Sequence, residues 1–429
     1  MGSKEKGSFI IESQKHLQEF DDPDLRHFDA TILAGQSGRL LAKLRGLEVI
    51  QDPRKIEIFA GDVGAYGRPA REALLRVLEK QGVIDVQRDG SKISKIEEKV
   101  TTEEEILGLT DEIWDEAGPS DEDQATLEIV KNCSQLPRTK AELQSYLHSV
   151  GVQSAALSGM ELSTKFGLAK RVDNIEGVND SVFHTPLFGN YNIRKIVNGI
   201  HHLDPSLRPQ VDSIVNLVGS KQASPRDALK FPRELIDRMQ SLGVLHMTKV
   251  ETTKGTEKEF AFTPSMWGPF GTDTIRDEQE HVMAMLSCIQ NGRLYPTEVD
   301  GIRYPIRYPG KYLAALIRRK KIGPSTMIGT DYLILEREGI VELIPSAFKH
   351  EQYEMRLVKE DVAVRAKRIL ELGSDSGLDE PAKMESLYQT GDFRNTAQTR
   401  LQTDAKMKKT GERSDYLSQQ LMMVLRGEK

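Results

Sequence analysis

The chain has little of several things that would narrow its chemistry. Only two cysteines occur among 429 residues, Cys133 and Cys288, far apart and without metal-ligand spacing. That excludes a disulfide framework and a cysteine-built zinc site, and it fits a reducing, intracellular compartment. No apolar run approaches the roughly 18 residues needed to span a bilayer. The opening Met1-Gly2-Ser3-Lys4-Glu5-Lys6-Gly7 leads into no hydrophobic signal region. A protein of the cytoplasm or nucleoid (or nucleus) is therefore expected, neither secreted nor held in a membrane. Catalytic signatures are missing as well. Gly310-Lys311 runs on into Tyr312 and lacks the upstream glycine of a phosphate-binding loop. His350-Glu351 is followed by Gln352-Tyr353-Glu354, so no second histidine stands one helical turn on. His201 and His202 are adjacent, and adjacent side chains diverge on a helix. The expectation is a protein without metal, cofactor or catalysis. A divergent nuclease built on scattered carboxylates such as Asp52 and Glu57 is the remaining catalytic alternative.

What the chain does have is length and an uneven charge. At 429 residues it exceeds one ordinary core, and three or four modest domains are expected. The net charge of −6 is concentrated. Between Glu97 and Glu128 thirteen acidic residues face a single basic one, Lys99, so the remainder of the chain is net positive. Residues 101–123 read as an acidic linker, with a helix around Ile106, Leu107, Ile113 and Trp114 within it. Overall acidity lowers nonspecific affinity for nucleic acid but leaves room for a local basic face.

The most informative feature is a recurring local pattern. Leu74 to Gln81 reads as a helix stopped by Gly82, followed by Val83-Ile84-Asp85-Val86 and a turn at Asp89-Gly90. Glu234 to Leu242 stops at Gly243 before Val244-Leu245-His246-Met247. Tyr332 to Glu338 stops at Gly339 before Ile340-Val341-Glu342-Leu343. A fainter copy has Phe166-Gly167-Leu168. Its Phe183-His184-Thr185-Pro186 ending parallels Phe262-Thr263-Pro264, as a duplication would produce. Earlier helical runs precede most copies: Leu127-Glu128-Ile129-Val130 with Thr139 to Leu147, Val211 to Val218, and Glu280 to Leu286 with Lys311 to Ile317. The first copy offers only Leu40-Leu41-Ala42-Lys43-Leu44.

Helix, glycine stop and hairpin resembles the second half of a winged helix, its third helix and wing. The resemblance is one of pattern and points to the superfamily without a particular family. It implies a mainly α fold with small β-hairpins (α+β), in tandem winged-helix modules. Their expected extents are 30–100, 124–188, 205–265 and 275–358, with a helical C-terminal tail over 359–429. Unrelated helix–hairpin pieces of one α+β domain are the alternative. The resemblance also implies a partner. Tandem winged helices bind DNA, as regulators or as the DNA-contacting subunit of a larger complex. They also build assembly subunits, similar in arrangement to the accessory subunits of chromosome-organising ATPase complexes and of RNA polymerases. A double-stranded DNA partner is the leading expectation and a protein-interaction scaffold the rival. The amphipathic run 415–425 is a candidate protein-docking helix in the second case.

The most basic stretch runs from Arg303 to Lys321 and holds Arg303, Arg307, Lys311, Arg318, Arg319, Lys320 and Lys321 without one acidic residue. Arg303-Tyr304-Pro305 recurs as Arg307-Tyr308-Pro309, so guanidinium forks alternate with rings on a stiff loop. Basic residues at a helix end also favour the helix dipole, which is the alternative explanation. Carrying the third-helix role over by position implicates Ser325 and Thr326 after Pro324 in the fourth module. In the third it implicates Arg226, Lys230 and Arg233, with Lys249, Lys254 and Lys258 in the wing. In the first it implicates Arg68 and Arg71, with Arg88, Lys92 and Lys95 in the wing. The second offers Lys165, Lys170 and Arg171.

Overall fold

A computed structural model describes residues 3–375, apart from 48, 52, 91, 101, 191–192, 205, 253–254, 256, 272–275, 297, 300–301 and 348–350. Its described residues divide into two compact units, 6–123, and 124–375 together with 3–5. The fold is mainly helical with small antiparallel three-stranded sheets, an α+β arrangement. The run 415–425 lies outside the described residues. Among the described residues no helix is long and apolar enough to cross a membrane.

In the first unit the elements are α1 (Ser3–Leu17), α2 (Asp29–Leu44), β1 (Val49–Ile50), α3 (Pro53–Asp62), α4 (Gly67–Lys80), β2 (Ile84–Asp89), β3 (Lys92–Glu98) and α5 (Glu103–Ala117). The three strands form a sheet in the order β1-β3-β2. Helix α5 corrects the linker expectation. It begins with a capping box, Thr102 and Glu105 bonding each other's backbone N–H groups. Its apolar stripe, Ile106, Leu107, Ile113 and Trp114, is buried. This stripe packs along α2, whose Leu40, Leu41 and Leu44 are buried too. The contact is close because Gly38 has no side chain: a Cβ there would lie 2.2 Å from Thr110 Oγ1. The helix itself is as expected; the acidic count misleads only on its being a linker, because the carboxylates occupy the solvent side of a helix whose other face is buried. The unit thus extends beyond the expected 30–100 at both ends, through α1 and α5.

The second unit begins within α6 (Asp121–Gln135), whose first turn belongs to the first unit, and continues with β4 (Arg138–Thr139), α7 (Lys140–Ser149), α8 (Ala156–Lys165), β5 (Lys170–Val172) and β6 (Val182–His184). Helix α9 (Ile193–His201) leads to α10 (Arg208–Ser220), β7 (Ser224–Pro225), α11 (Arg233–Leu242), β8 (His246–Glu251) and β9 (Glu257–Phe262). Then come α12 (Arg276–Leu294), β10 (Glu298–Val299), β11 (Ile302–Arg303), α13 (Pro309–Arg319), β12 (Lys321–Ser325), α14 (Ile328–Asp331), α15 (Leu333–Arg337), β13 (Val341–Pro345), β14 (Tyr353–Leu357) and α16 (Glu360–Leu372). Both cysteines are buried free thiols. Burial pushes that of Cys133 up to about 12, which keeps it protonated and unreactive.

One order of elements recurs four times: a helix, a short strand, further helix, then a hairpin whose second strand pairs with the short one. The sheets are β1-β3-β2, β4-β6-β5, β7-β9-β8 and β12-β14-β13. Registers such as Val49↔Glu97, Arg138↔Phe183 and Ser224↔Ala261 place each short strand at the same edge. The third block has a single 3-10 turn, Arg226–Ala228, where the others have a second helix. The fourth departs from expectation. Strand β12 follows α13 directly, so α13 takes the leading position that α2, α6 and α10 hold. Helix α12, expected there, is an additional helix that packs on α16 and the β8–β9 hairpin and buries Val282, Met285, Leu286 and Ile289.

The four glycine stops stand where the sequence puts them. Gly82, Gly167, Gly243 and Gly339 follow α4, α8, α11 and α15 with φ of 71°, 70°, 80° and 64°, and a hairpin strand begins two or three residues on. At Gly243 the backbone N–H bonds back to Gln240 O at 3.0 Å. A β-branched side chain in that left-handed conformation meets its own backbone. Gly243→Val is expected to destabilise this unit by about 1–2 kcal/mol, read as a lower denaturation midpoint. A midpoint equal to that of the unmodified chain would mean the turn does not depend on the conformation.

Candidate nucleic-acid interface

The basic run from Arg303 to Lys321 is distributed over a hairpin end, a loop, α13 and the start of β12. Arg303 ends β11, with its side chain outside the described set. Tyr304 to Tyr308 form the connection, and both tyrosines are well exposed, at 57% and 65%. Pro309 then opens α13, where the missing N–H costs nothing. Leu313 and Leu316 point into the core. Arg307, Lys311, Arg318 and Arg319 are exposed, and among the described residues no carboxylate lies within ion-pair distance of them. The Lys311 ammonium stands 5.0 Å from the centre of the Tyr308 ring, close enough for a cation–π attraction that keeps both groups at the surface.

The last two cations differ. Lys320 adopts a left-handed conformation that ends α13, and it pairs with Glu360 at the start of α16. Lys321 opens β12 and pairs with Glu354 on β14 at 2.5 Å. A run without acids in sequence therefore acquires two in space, because α16 and β14 fold back beside it. The expected helix start at Pro324-Ser325-Thr326 is also corrected. Pro324 and Ser325 belong to β12, where Ser325 is registered against Tyr353. Helix resumes only as the short α14 and α15. Ser325 and Thr326 are half-buried in a strand and the turn after it.

The other predicted cations fall mostly into internal pairs. Arg226 bonds Glu259 at 2.7 Å and also Asp237, tying the 3-10 turn to β9 and α11. Lys258 pairs with Asp227 at 2.6 Å and lies over the Tyr295 ring; Lys249 pairs with Glu257 at 2.7 Å. In the first unit Arg71 bonds Glu57 at 2.8 Å, while Arg88 reaches Glu79 at 2.7 Å and Glu72 at 3.4 Å. Arg88 thus clips the hairpin to α4. Lys95 pairs with Glu97, and Arg171 with Asp173 at 2.9 Å. Lys165 stands by the Phe166 ring, and Lys170 is exposed. Arg68 is exposed at the first turn of α4; Lys92 opens β3, and Lys254 lies outside the described residues. An arginine held by two carboxylates must break both contacts to meet a phosphate, so Arg226 and Arg88 are poor candidates for it.

Lys170 on β5, and Lys230 and Arg233 at the entry to α11, remain exposed and without a carboxylate partner among the described residues. Arg238 on α11 and Arg76 on α4 share that condition and were not picked out in the sequence. Each sits singly among acidic neighbours, so a search for clusters passes over it; the signal available was the polar face of an amphipathic helix. Compared with known protein families, with curated proteins and with solved structures, the chain matches none.

Proposed function

We propose that the four helix–strand–helix–hairpin blocks are tandem winged-helix modules, and that the protein is a non-enzymatic binder of double-stranded DNA. Main contact is through α13 and the loop before it. The observation that supports this reading is the group Arg307, Lys311, Arg318 and Arg319, four exposed cations without carboxylate partners among the described residues, beside the exposed rings of Tyr304 and Tyr308. Guanidinium and ammonium groups left unpaired are available to phosphates, and the tyrosines offer faces to sugar or base. Lys230 and Arg233 at the entry to α11 give a second, weaker contact. In this reading the protein acts as a regulator or as the DNA-contacting subunit of a larger complex.

Titration of a mixed-sequence duplex with the full chain at 50 and 200 mM salt tests the reading. Each phosphate neutralised contributes about 0.9 to the slope of log K against log salt, so the four contacts of α13 and its loop contribute about −3.6. A slope near zero, or no binding at 50 mM, would overturn it. One observation favours the scaffold alternative: α8, in the position of a DNA-reading helix, leaves Leu157 54% exposed and has little charge. A flat salt dependence together with a co-purifying protein is the outcome that reading predicts.

A further inference from the structure

The loop between β11 and α13 holds two exposed aromatic rings on a tied-down backbone. Tyr304 and Tyr308 each precede a proline, Pro305 and Pro309, and a residue before proline is kept out of the helical region. Tyr308 is accordingly non-helical, with φ of −131° and ψ of 83°. Between the two tyrosines Ile306 anchors the loop. Its backbone N–H donates to the Gly292 carbonyl in the last turn of α12 at 3.0 Å, and its side chain packs against the core. Gly292 makes room for it, since a Cβ there would lie 3.0 Å from Ile306 Cδ1. The loop is thus fixed at its middle and stiffened by two prolines, while the rings on either side stay in solvent.

Other tyrosines of this unit are engaged. Tyr312 stacks on the buried Tyr332 with ring centres 6.4 Å apart, and the Tyr295 hydroxyl donates to Asp227 at 2.6 Å. The hydroxyls of Tyr304 and Tyr308 meet no hydrogen-bond partner among the described residues. Lys311 attracts the Tyr308 ring, but an ammonium covers at most one face of it. Two large ring surfaces are therefore left to water beside Arg307, Lys311 and the other cations of α13. Phosphates satisfy those cations whether the DNA is paired or unpaired. The rings discriminate. Inside a duplex each base has both faces covered by its neighbours, so a ring beside the helix meets only edges and sugars. An unpaired base offers a free face, and stacking it on one aromatic ring raises affinity by roughly tenfold.

Granted the DNA contact proposed for α13, on which this step rests, we infer that the DNA it takes is a duplex continuing into a single strand. Unpaired bases stack on Tyr304 and Tyr308, and the phosphates alongside meet Arg307 and α13. The probes are a blunt duplex, the same duplex with a thymidine tail at the 5′ or the 3′ end, and the same tails built from abasic sites, which keep the phosphates and lose the bases. Each carries a fluorophore on the duplex and is titrated with the full chain at low salt. A thymidine tail of at least one polarity is expected to bind about tenfold more tightly than the abasic tail of equal charge. Tyr304→Ala with Tyr308→Ala should bind the two tails alike. Tyr304→Phe with Tyr308→Phe should keep the preference, because rings stack and hydroxyls do not. Circular dichroism checks the fold, and if the alanine variant does not fold, the thymidine–abasic comparison in the unmodified chain decides alone. Equal binding of the two tails by that chain, a preference that survives loss of both rings, or one that disappears in the phenylalanine variant would each overturn the assignment. Binding of the blunt duplex would still uphold the DNA reading in those cases, whereas no binding of any probe would overturn both.

Discussion

Replacing Arg307, Lys311, Arg318 and Arg319 together with alanine is expected to cut DNA affinity at 50 mM salt strongly and to leave only the shallower salt dependence of the Lys230 and Arg233 contact. Four phosphate contacts contribute about 3.6 to the salt slope. Between 50 and 200 mM they account for roughly a hundredfold loss of affinity in the unmodified chain, a loss that the variant should not show. The effect should be similar for every duplex, because phosphate contacts carry no sequence information. Lys320→Ala with Lys321→Ala is the internal comparison. Those cations are already paired with Glu360 and Glu354, and their removal should change the slope far less. Folding must be followed in parallel, since long basic side chains also cover apolar surface. A folded quadruple variant with unchanged affinity and slope would remove α13 as the contact and favour the scaffold reading.

The second large effect is a pH dependence lodged in the first unit. Asp123 is buried, and its carboxylate accepts from the Thr31 backbone N–H at 3.1 Å and the Thr31 hydroxyl at 2.6 Å. The Trp114 indole N–H donates to the same hydroxyl at 3.0 Å. Burial pushes the Asp123 carboxyl up to about 6, against the pull of the two Thr31 hydrogen bonds. Folded protein then holds this proton more tightly than unfolded chain does. Stability from this group is fully present below about pH 3.8 and is lost as pH rises through about 6. The span corresponds to about 3 kcal/mol. Asp123→Asn cannot ionise, so its stability relative to the unmodified chain should rise by about that amount between pH 4 and pH 7.5. The chain has two tryptophans, so a Trp267→Phe background lets Trp114 fluorescence report this unit in denaturant titrations. Parallel pH profiles for the two proteins would show that the group titrates alike in both states.

Much of the fold is legible in residues close together in the chain. Apolar spacing marks α4, α11 and α15 as helices, and the glycine after each marks its end, because only glycine enters the left-handed conformation without strain. Asp89-Gly90 marks a hairpin turn for the same reason. These are local preferences, and the physics that sets them acts within a few residues. The short strands β1, β4 and β7 are different. Two residues carry no alternation to read, and they become strands only because β3, β6 and β9 offer them an edge. Helix α5 is legible from the spacing of Ile106, Leu107, Ile113 and Trp114, but that it is packed into the unit, and not part of a linker, was decided only by its burial against α2.

The candidate interface divides along the same line. That residues 303–321 hold seven cations and no acid was determined by the sequence alone, and so were the prolines and tyrosines between them. Which cations remain without a carboxylate was decided by tertiary structure. Glu360 and Glu354 reach Lys320 and Lys321 from more than thirty residues away, and Asp237 and Glu259 close on Arg226 from separate elements. Charge counted along a chain is a property of composition. Charge available to a partner depends on distances of a few ångströms, and those are set by how α16, β14 and β9 pack.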